Sequence, residues 1–182
     1  MIDAAPPPAQ LHDAQGAIMP TKTLNDLFIH SLSDIYSAEK QMTKSLPKMA
    51  RASTNPALKA AFEKHLVETQ GQVQRIDQIV ETSGIKLKRI KCVAMEGLVE
   101  EGQEEIDEIE KGAVLDTALI AAAQKAEHYE IASYGSLIAL GNQLGETEAV
   151  KLLAETLQEE KATDEALSLL AEEKVAAEAM GK

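Results

Sequence analysis

Seven side chains of metal-ligating type recur along this chain at intervals that helices would gather onto single faces: Glu39, His65 with Glu68, Glu127 with Glu130, and Glu160 with Asp164. Residues three or four apart meet on one side of an α-helix, so each of these pairs would project together. Glu39 falls inside an apolar series of Phe28, Ile35, Met42 and Leu46, and Glu127 and Glu130 fall between Ala123 and Tyr134. Glu160 and Asp164 sit likewise between Leu157 and Leu167. Several ionised carboxylates gathered in a low-dielectric core repel one another, and raised pKa values relieve only part of that cost. Two divalent cations would neutralise most of it, and bundles build such metal pairs from carboxylates on four helices. The competing reading places individual acids at stripe boundaries, paired with lysines, as on any long amphipathic helix.

The elements that must carry these groups are helices. Ala, Leu, Glu, Lys and Gln dominate, Trp is absent, and Phe, Tyr and Pro are few, a composition that favours an all-α protein. The spacing predicts a first helix from about Thr23 to Ala50, with Pro47 near its last turn. A second follows Asn55 as N-cap and Pro56 at the first helical position, carries Leu58, Phe62, Leu66, Val73, Ile76 and Val80 inward, and stops at Gly84. On it, His65, Glu68 and Gln72 share an edge beside the apolar stripe. A third covers about Ala113 to Asn142, and a fourth begins near Glu146 with Val150, Leu153, Leu157, Leu167 and Leu170 inward. The stretch from Gly84 to Gly112 is too long for a turn and carries one or two short amphipathic helices. Two antiparallel helical hairpins joined by a long crossover have the connectivity of a ferritin-like four-helix bundle.

The 182 residues, 45% hydrophobic and 26% charged, suffice for one globular domain with a continuous core. That domain is expected over residues 21–176, after a disordered N-terminal tail at 1–20 and before a C-terminal tail at 177–182. The net charge of −12 argues against nucleic acid or an anionic membrane as partner. Lys86, Lys88, Arg89 and Lys91 form one short basic cluster without interleaved aromatics, read as a solvated loop. No apolar run reaches the length of a membrane span, and the first twenty residues do not resemble a secretory signal. A lone cysteine, Cys92, fits a reducing compartment, so a cytoplasmic location is expected. His128 points away from Glu127 and Glu130, and His12 and His30 lack companion ligands.

Four runs carry a resemblance: residues 28–41 (FIHSLSDIYSAEKQ), 92–98 (CVAMEGL), 121–135 (AAAQKAEHYEIASYG) and 156–164 (TLQEEKATD). The chain resembles the YciF-type stress proteins from about Thr21 to Ala171. This resemblance implies a ferritin-like bundle related to rubrerythrin, an association with bacterial stress responses, a homodimer and a di-metal centre. It implies as ligands Glu39, Glu68, Glu127 with Glu130, and Glu160 with Asp164, with His65 as a nitrogen ligand. The wider superfamily commonly uses Glu-x-x-His on two helices, and that motif occurs nowhere in this chain. An oxygen-rich site of this kind suits Mn(II), Mg(II) or Fe(II) better than copper. The expected function is a di-iron or di-manganese centre reacting with dioxygen or peroxide as small oxidant substrate. The alternative is a non-enzymatic dimeric stress or structural protein holding a vestigial or static metal site. Tyr134, one turn beyond Glu130, is read first as a core-packing residue, with a place near the site as hydrogen-bond donor or radical trap as the competing reading.

Overall fold

A computed structural model describes residues 22–172; the tails expected at 1–20 and 177–182 lie outside them. Among the described residues all regular structure is helical: α1 (Leu24–Ala52), α2 (Pro56–Ser83), α3 (Val93–Glu108), α4 (Ala113–Leu144) and α5 (Thr147–Leu170).

Local chemistry sets the helix ends. Thr23 opens α1 with a capping box, its hydroxyl accepting from Asp26 N while the Asp26 carboxylate accepts from Thr23 N, which satisfies two otherwise orphaned donors. Asn55 caps α2 by accepting from Ala57 N and Leu58 N, with Pro56 directly behind it. Gly84 and Gly145 end α2 and α4 at φ 65° and 76°, a left-handed conformation that costs other residues a steric penalty. Helix α1 runs through Pro47 to Ala52 without ending there.

The pairing of the helices follows from who touches whom. Tyr36 on α1 meets Asp77 on α2, while Gln124 on α4 meets Asp164 and Ser168 on α5. Arg75 on α2 meets Thr156 on α5, and His65 meets Thr163, so these two helices are antiparallel. Glu39 on α1 meets Tyr134 on α4, and Phe28 packs near Gly141. Helices α1 and α5 therefore run one way, α2 and α4 the other. Since α2 and α4 point the same way, the chain between them must travel back along the bundle. Residues 85–92 do so without regular structure, and α3 then packs on α1 and α4. The crossover thus carries one helix.

The core is built by Phe28, Leu32, Ile35, Leu46, Phe62, Ile76, Leu119, Leu137 and Leu153, among others. Helix α2 departs from the predicted stripe. Its buried face runs Leu58, Phe62, His65, Thr69, Gln72, Ile76, Ile79, whereas Leu66, Val73 and Val80 are half-buried. On α5, Thr156, Glu160 and Thr163 share the buried face with Ala149, Leu153 and Leu167, and Val150, Leu157 and Leu170 are half-buried beside it. Leu58, Phe62 and Ile76 on α2 and Leu153 and Leu167 on α5 point inward as expected, and polar residues take the remaining inward positions in place of the other apolar ones.

Candidate metal centre

Four helices deliver acidic or imidazole groups to the middle of this bundle. His65 on α2, Glu127 and Glu130 on α4, and Glu160 on α5 each place one potential ligand atom within 4.8 Å of the others, and all four are buried. Glu39 on α1 is fully buried as well and accepts a short hydrogen bond from the Tyr134 hydroxyl. The i, i+3 spacing of Glu127 and Glu130 stacks both carboxylates on the inner side of α4.

The polar atoms here are under-satisfied. Both carboxylate oxygens of Glu127 and of Glu160, Oε1 of Glu130, Oε2 of Glu39 and Nε2 of His65 are buried without a hydrogen-bond partner. His65 Nε2 lies 3.0 Å from Glu127 Oε1 and 3.9 Å from Glu160 Oε2, close enough to pair as ions without forming an aligned hydrogen bond. Native interiors leave few such groups unpaired, and each costs about 1–3 kcal/mol or more when charged. A cluster of unpaired oxygens converging on one imidazole nitrogen fits a cation whose ligands are hard oxygen donors plus one nitrogen.

Proton affinities respond as burial demands. Desolvation pushes Glu39 up to about 8 against the lowering pull of Tyr134 and His65. Burial, with neighbouring carboxylates adding to it, holds Glu130 and Glu160 well above the ordinary carboxylate range. Burial lowers His65, but Glu127, Glu68 and Glu160 outweigh it and raise the imidazole well above its usual value. Without metal the cluster therefore retains protons, and a cation must displace them to bind. His65 Nδ1 lies 3.4 Å from Thr163 Oγ1; with Nδ1–H donating there, the proton on Nε2, which faces Glu127, is the one a cation would displace.

Of the residues singled out in the sequence, Glu39, His65, Glu127, Glu130 and Glu160 share this centre. Glu68 sits at its edge, 22% exposed, bonded to Lys64 at 2.6 Å and 3.9 Å from His65 Nδ1. The His65 contact, with Lys64, lowers its pKa. Asp164 lies apart from the cluster: its carboxylate accepts from Gln124 at 3.2 Å and pairs with exposed His128 at 3.3 Å. The spacing from Glu160 to Asp164 is one turn, yet the intervening Thr163 takes the inward position beside His65. The sequence reading missed Thr163, and it missed the Arg75–Glu159 pair. Arg75 donates to Glu159 and to Thr156, and Glu159 also accepts from buried Gln72. Arg75 follows Gln72 by three residues on the His65 edge, which was the available signal for that pair.

The molecule is thus a helical-bundle protein with a buried carboxylate–histidine cluster at its centre. Residues 23–180 match the family described as a domain of unknown function, DUF892, and the chain belongs to it. Protein YciF of Escherichia coli strain K12 is 62% identical over 154 residues, which span 84% of this chain and 93% of that protein. The crystal structure of the E. coli stress protein YciF aligns with a TM-score of 0.80 at 63% identity, covering 82% of this chain and 95% of that one. YcfI of Rhodopseudomonas palustris aligns at 0.79 and 43% identity, over 86% of this chain and 97% of that one. A Xanthomonas campestris protein, 24% identical over 87% of this chain and 97% of its own, shares the fold with a TM-score of 0.69.

Proposed function

We propose that this protein is a cytoplasmic, dimeric, ferritin-like member of the YciF-type stress proteins whose bundle holds a dinuclear iron or manganese centre. The observation that carries this reading is the set of buried, unpartnered oxygens on Glu127, Glu130 and Glu160 around His65. Those four residues would hold the metal, with Glu39 completing the set from α1 and Glu68 from the edge. Such a centre, when bound, supplies redox and Lewis-acid chemistry toward dioxygen or peroxide.

This chain's own groups prepare the place. Tyr134 holds a proton at its phenol oxygen and shares it with Glu39. Thr163 orients the His65 ring. The Arg75–Glu159 pair and Gln72 close the α2–α5 side of the cluster. The core packing of Ile76, Leu119, Leu137 and Leu153 excludes water and strengthens every charge interaction inside.

A second reading is favoured by a specific feature, the absence of Glu-x-x-His from the chain. In that reading the centre binds a static cation and the protein acts without redox turnover. The description of the R. palustris relative as a candidate structural protein agrees with it.

Elemental analysis decides whether a centre exists. After anaerobic loading with Fe(II) or Mn(II) and desalting, about two metals per chain are expected, lost in Glu39→Ala/Glu130→Ala. No bound metal in either protein overturns the proposal. Loaded protein that neither oxidises Fe(II) nor consumes peroxide faster than that variant leaves the static reading standing.

A further inference from the structure

The crossover lays its irregular run, residues 85–92, along α1. Ser33 Oγ accepts from Lys88 N at 2.9 Å, Ser37 Oγ accepts from Cys92 N at 2.9 Å, and Gln41 Nε2 donates to the Cys92 carbonyl at 3.0 Å. These three α1 residues stand four apart along one edge of the helix. The run is therefore pinned through its backbone, and its cationic side chains are not what holds it in place.

Between α1 and this run lies a groove of about 590 Å³, lined by Lys40, Lys44, Lys88, Arg89 and Lys91 but by no carboxylate. That lining is the reverse of the chain as a whole, where acids outnumber bases 30 to 18. Three of the cations have local company, Lys88 through the more distant Asp26: hydrogen bonds from Thr23 and Lys22 lower that carboxyl's pKa, and Lys88 adds to the lowering. Lys91 pairs with Glu96, and the Lys40 ammonium sits 4.3 Å over the Tyr36 ring, whose hydroxyl donates to Asp77. Lys44, Lys88 and Arg89 have no carboxylate within 4.0 Å among the described residues. Like charges held around a concavity repel one another unless a counter-ion occupies it.

We propose that this groove binds a small polyphosphate anion, two or three linked phosphates, either free or carried on a nucleoside. Its volume falls within the usual range for small-molecule sites. Arg89 supplies a planar fork for two phosphate oxygens, and the lysines act as point charges. Leu87, Ile90 and the half-buried Tyr36 offer apolar contact for a nucleoside's base. A long nucleic-acid strand fits poorly, because it would run from the basic groove onto a surface dominated by acids. At physiological salt the influence of a surface charge decays over roughly 8 Å, so the patch attracts an anion locally despite the overall negative charge.

Calorimetric titration of the full chain in chelator tests this with ATP, tripolyphosphate, adenosine and a short single-stranded oligonucleotide. ATP and tripolyphosphate are expected to bind, with affinity falling about tenfold or more in Lys44→Gln/Lys88→Gln/Arg89→Gln and unchanged in Lys161→Gln on α5. Tighter binding of ATP than of tripolyphosphate assigns the nucleoside form, and equal binding assigns the free anion. Circular dichroism of the triple variant, matching the parent, shows that any loss is not unfolding. No binding of either anion at millimolar concentration overturns the proposal, as does undiminished binding by the triple variant. Adenosine bound as tightly as ATP, or the oligonucleotide bound alone, overturns it too.

Discussion

Helix α4 carries buried acids in two settings, and they are treated oppositely. Asp116 in its first turn accepts from Thr54 N at 2.8 Å, Thr54 Oγ1 at 2.5 Å and Asn55 N at 2.9 Å, so both its oxygens are used and the start of α2 is tied to α4. Three turns along, Glu127 has no hydrogen bond to either oxygen, and Glu130 leaves one oxygen bare. The same helix and the same degree of burial give one carboxylate a full set of donors and the others almost none. The fold is evidently able to satisfy a buried acid with backbone amides and a hydroxyl. Leaving those at the centre open costs stability, and such a cost is retained where the groups serve a ligand.

The comparison is broken most forcefully by supplying that ligand. A cation that binds only the native state raises stability by RT ln(1 + [L]/Kd), about 4 kcal/mol at a thousandfold excess over Kd. Fe(II) or Mn(II) loading is expected to raise Tm accordingly, and excess chelator to lower it again. Identical melting with metal and with chelator would remove the centre from the account.

Next in size, Asp116→Ala should cost about 2–3 kcal/mol, since two backbone amides and a hydroxyl lose their acceptor in a buried site. Denaturant unfolding measures the loss, and metal stoichiometry should not change. A variant as stable as the parent would mean the amides find water, and the contrast between the two ends of α4 would lose its force. At the centre the sign reverses. Glu160→Gln removes a buried acid whose oxygens have no partner, and should stabilise the metal-free protein by about 1 kcal/mol at pH 8 while weakening metal binding. Destabilisation by this substitution without metal would show that Glu160 is held by the protein and not reserved for an ion.

The contrast also explains what the sequence could and could not disclose. The bounds of α2 were readable because caps and stops are local: Asn55, Pro56 and Gly84 act within a few residues of themselves. The positions of Glu39, Glu127 and Glu160 were readable because an acid inside an apolar stripe contradicts its surroundings. The α2 face was misread for the converse reason. His65, Thr69 and Gln72 fill the middle of the buried face between Leu58 and Phe62 on one side and Ile76 and Ile79 on the other, so hydrophobicity there marks the two ends of the face and, through Leu66 and Val73, its rim. Asp164 and Thr163 differ by one residue on α5, about 100° of helix rotation, and periodicity alone does not choose between them. The groove along α1 depends on Ser33, Ser37 and Gln41 meeting a segment about 50 residues later, a tertiary pairing with no local signature.

The smallest expected effect tests the link between the two kinds of acid at the centre. Glu39 is the partial exception there, since one of its oxygens accepts from Tyr134 while the other is bare. Burial raises its folded pKa from 4.5 to about 8, and the Tyr134 bond opposes that rise. A carboxyl whose folded pKa lies above its unfolded value binds more protons when folded. Its contribution to stability is complete below about pH 4.5 and is lost as pH rises through about 8. Metal-free protein should therefore melt at progressively lower temperature across that window. Tyr134→Phe removes the group that favours the ionised form, so the upper end of the window should move to higher pH, with little change at pH 5. Melting curves recorded in chelator from pH 5 to 9 measure the displacement. Coincident profiles for parent and variant would mean that the phenol does not share its proton with Glu39 in solution, and that the acid is as bare as its neighbours on α4.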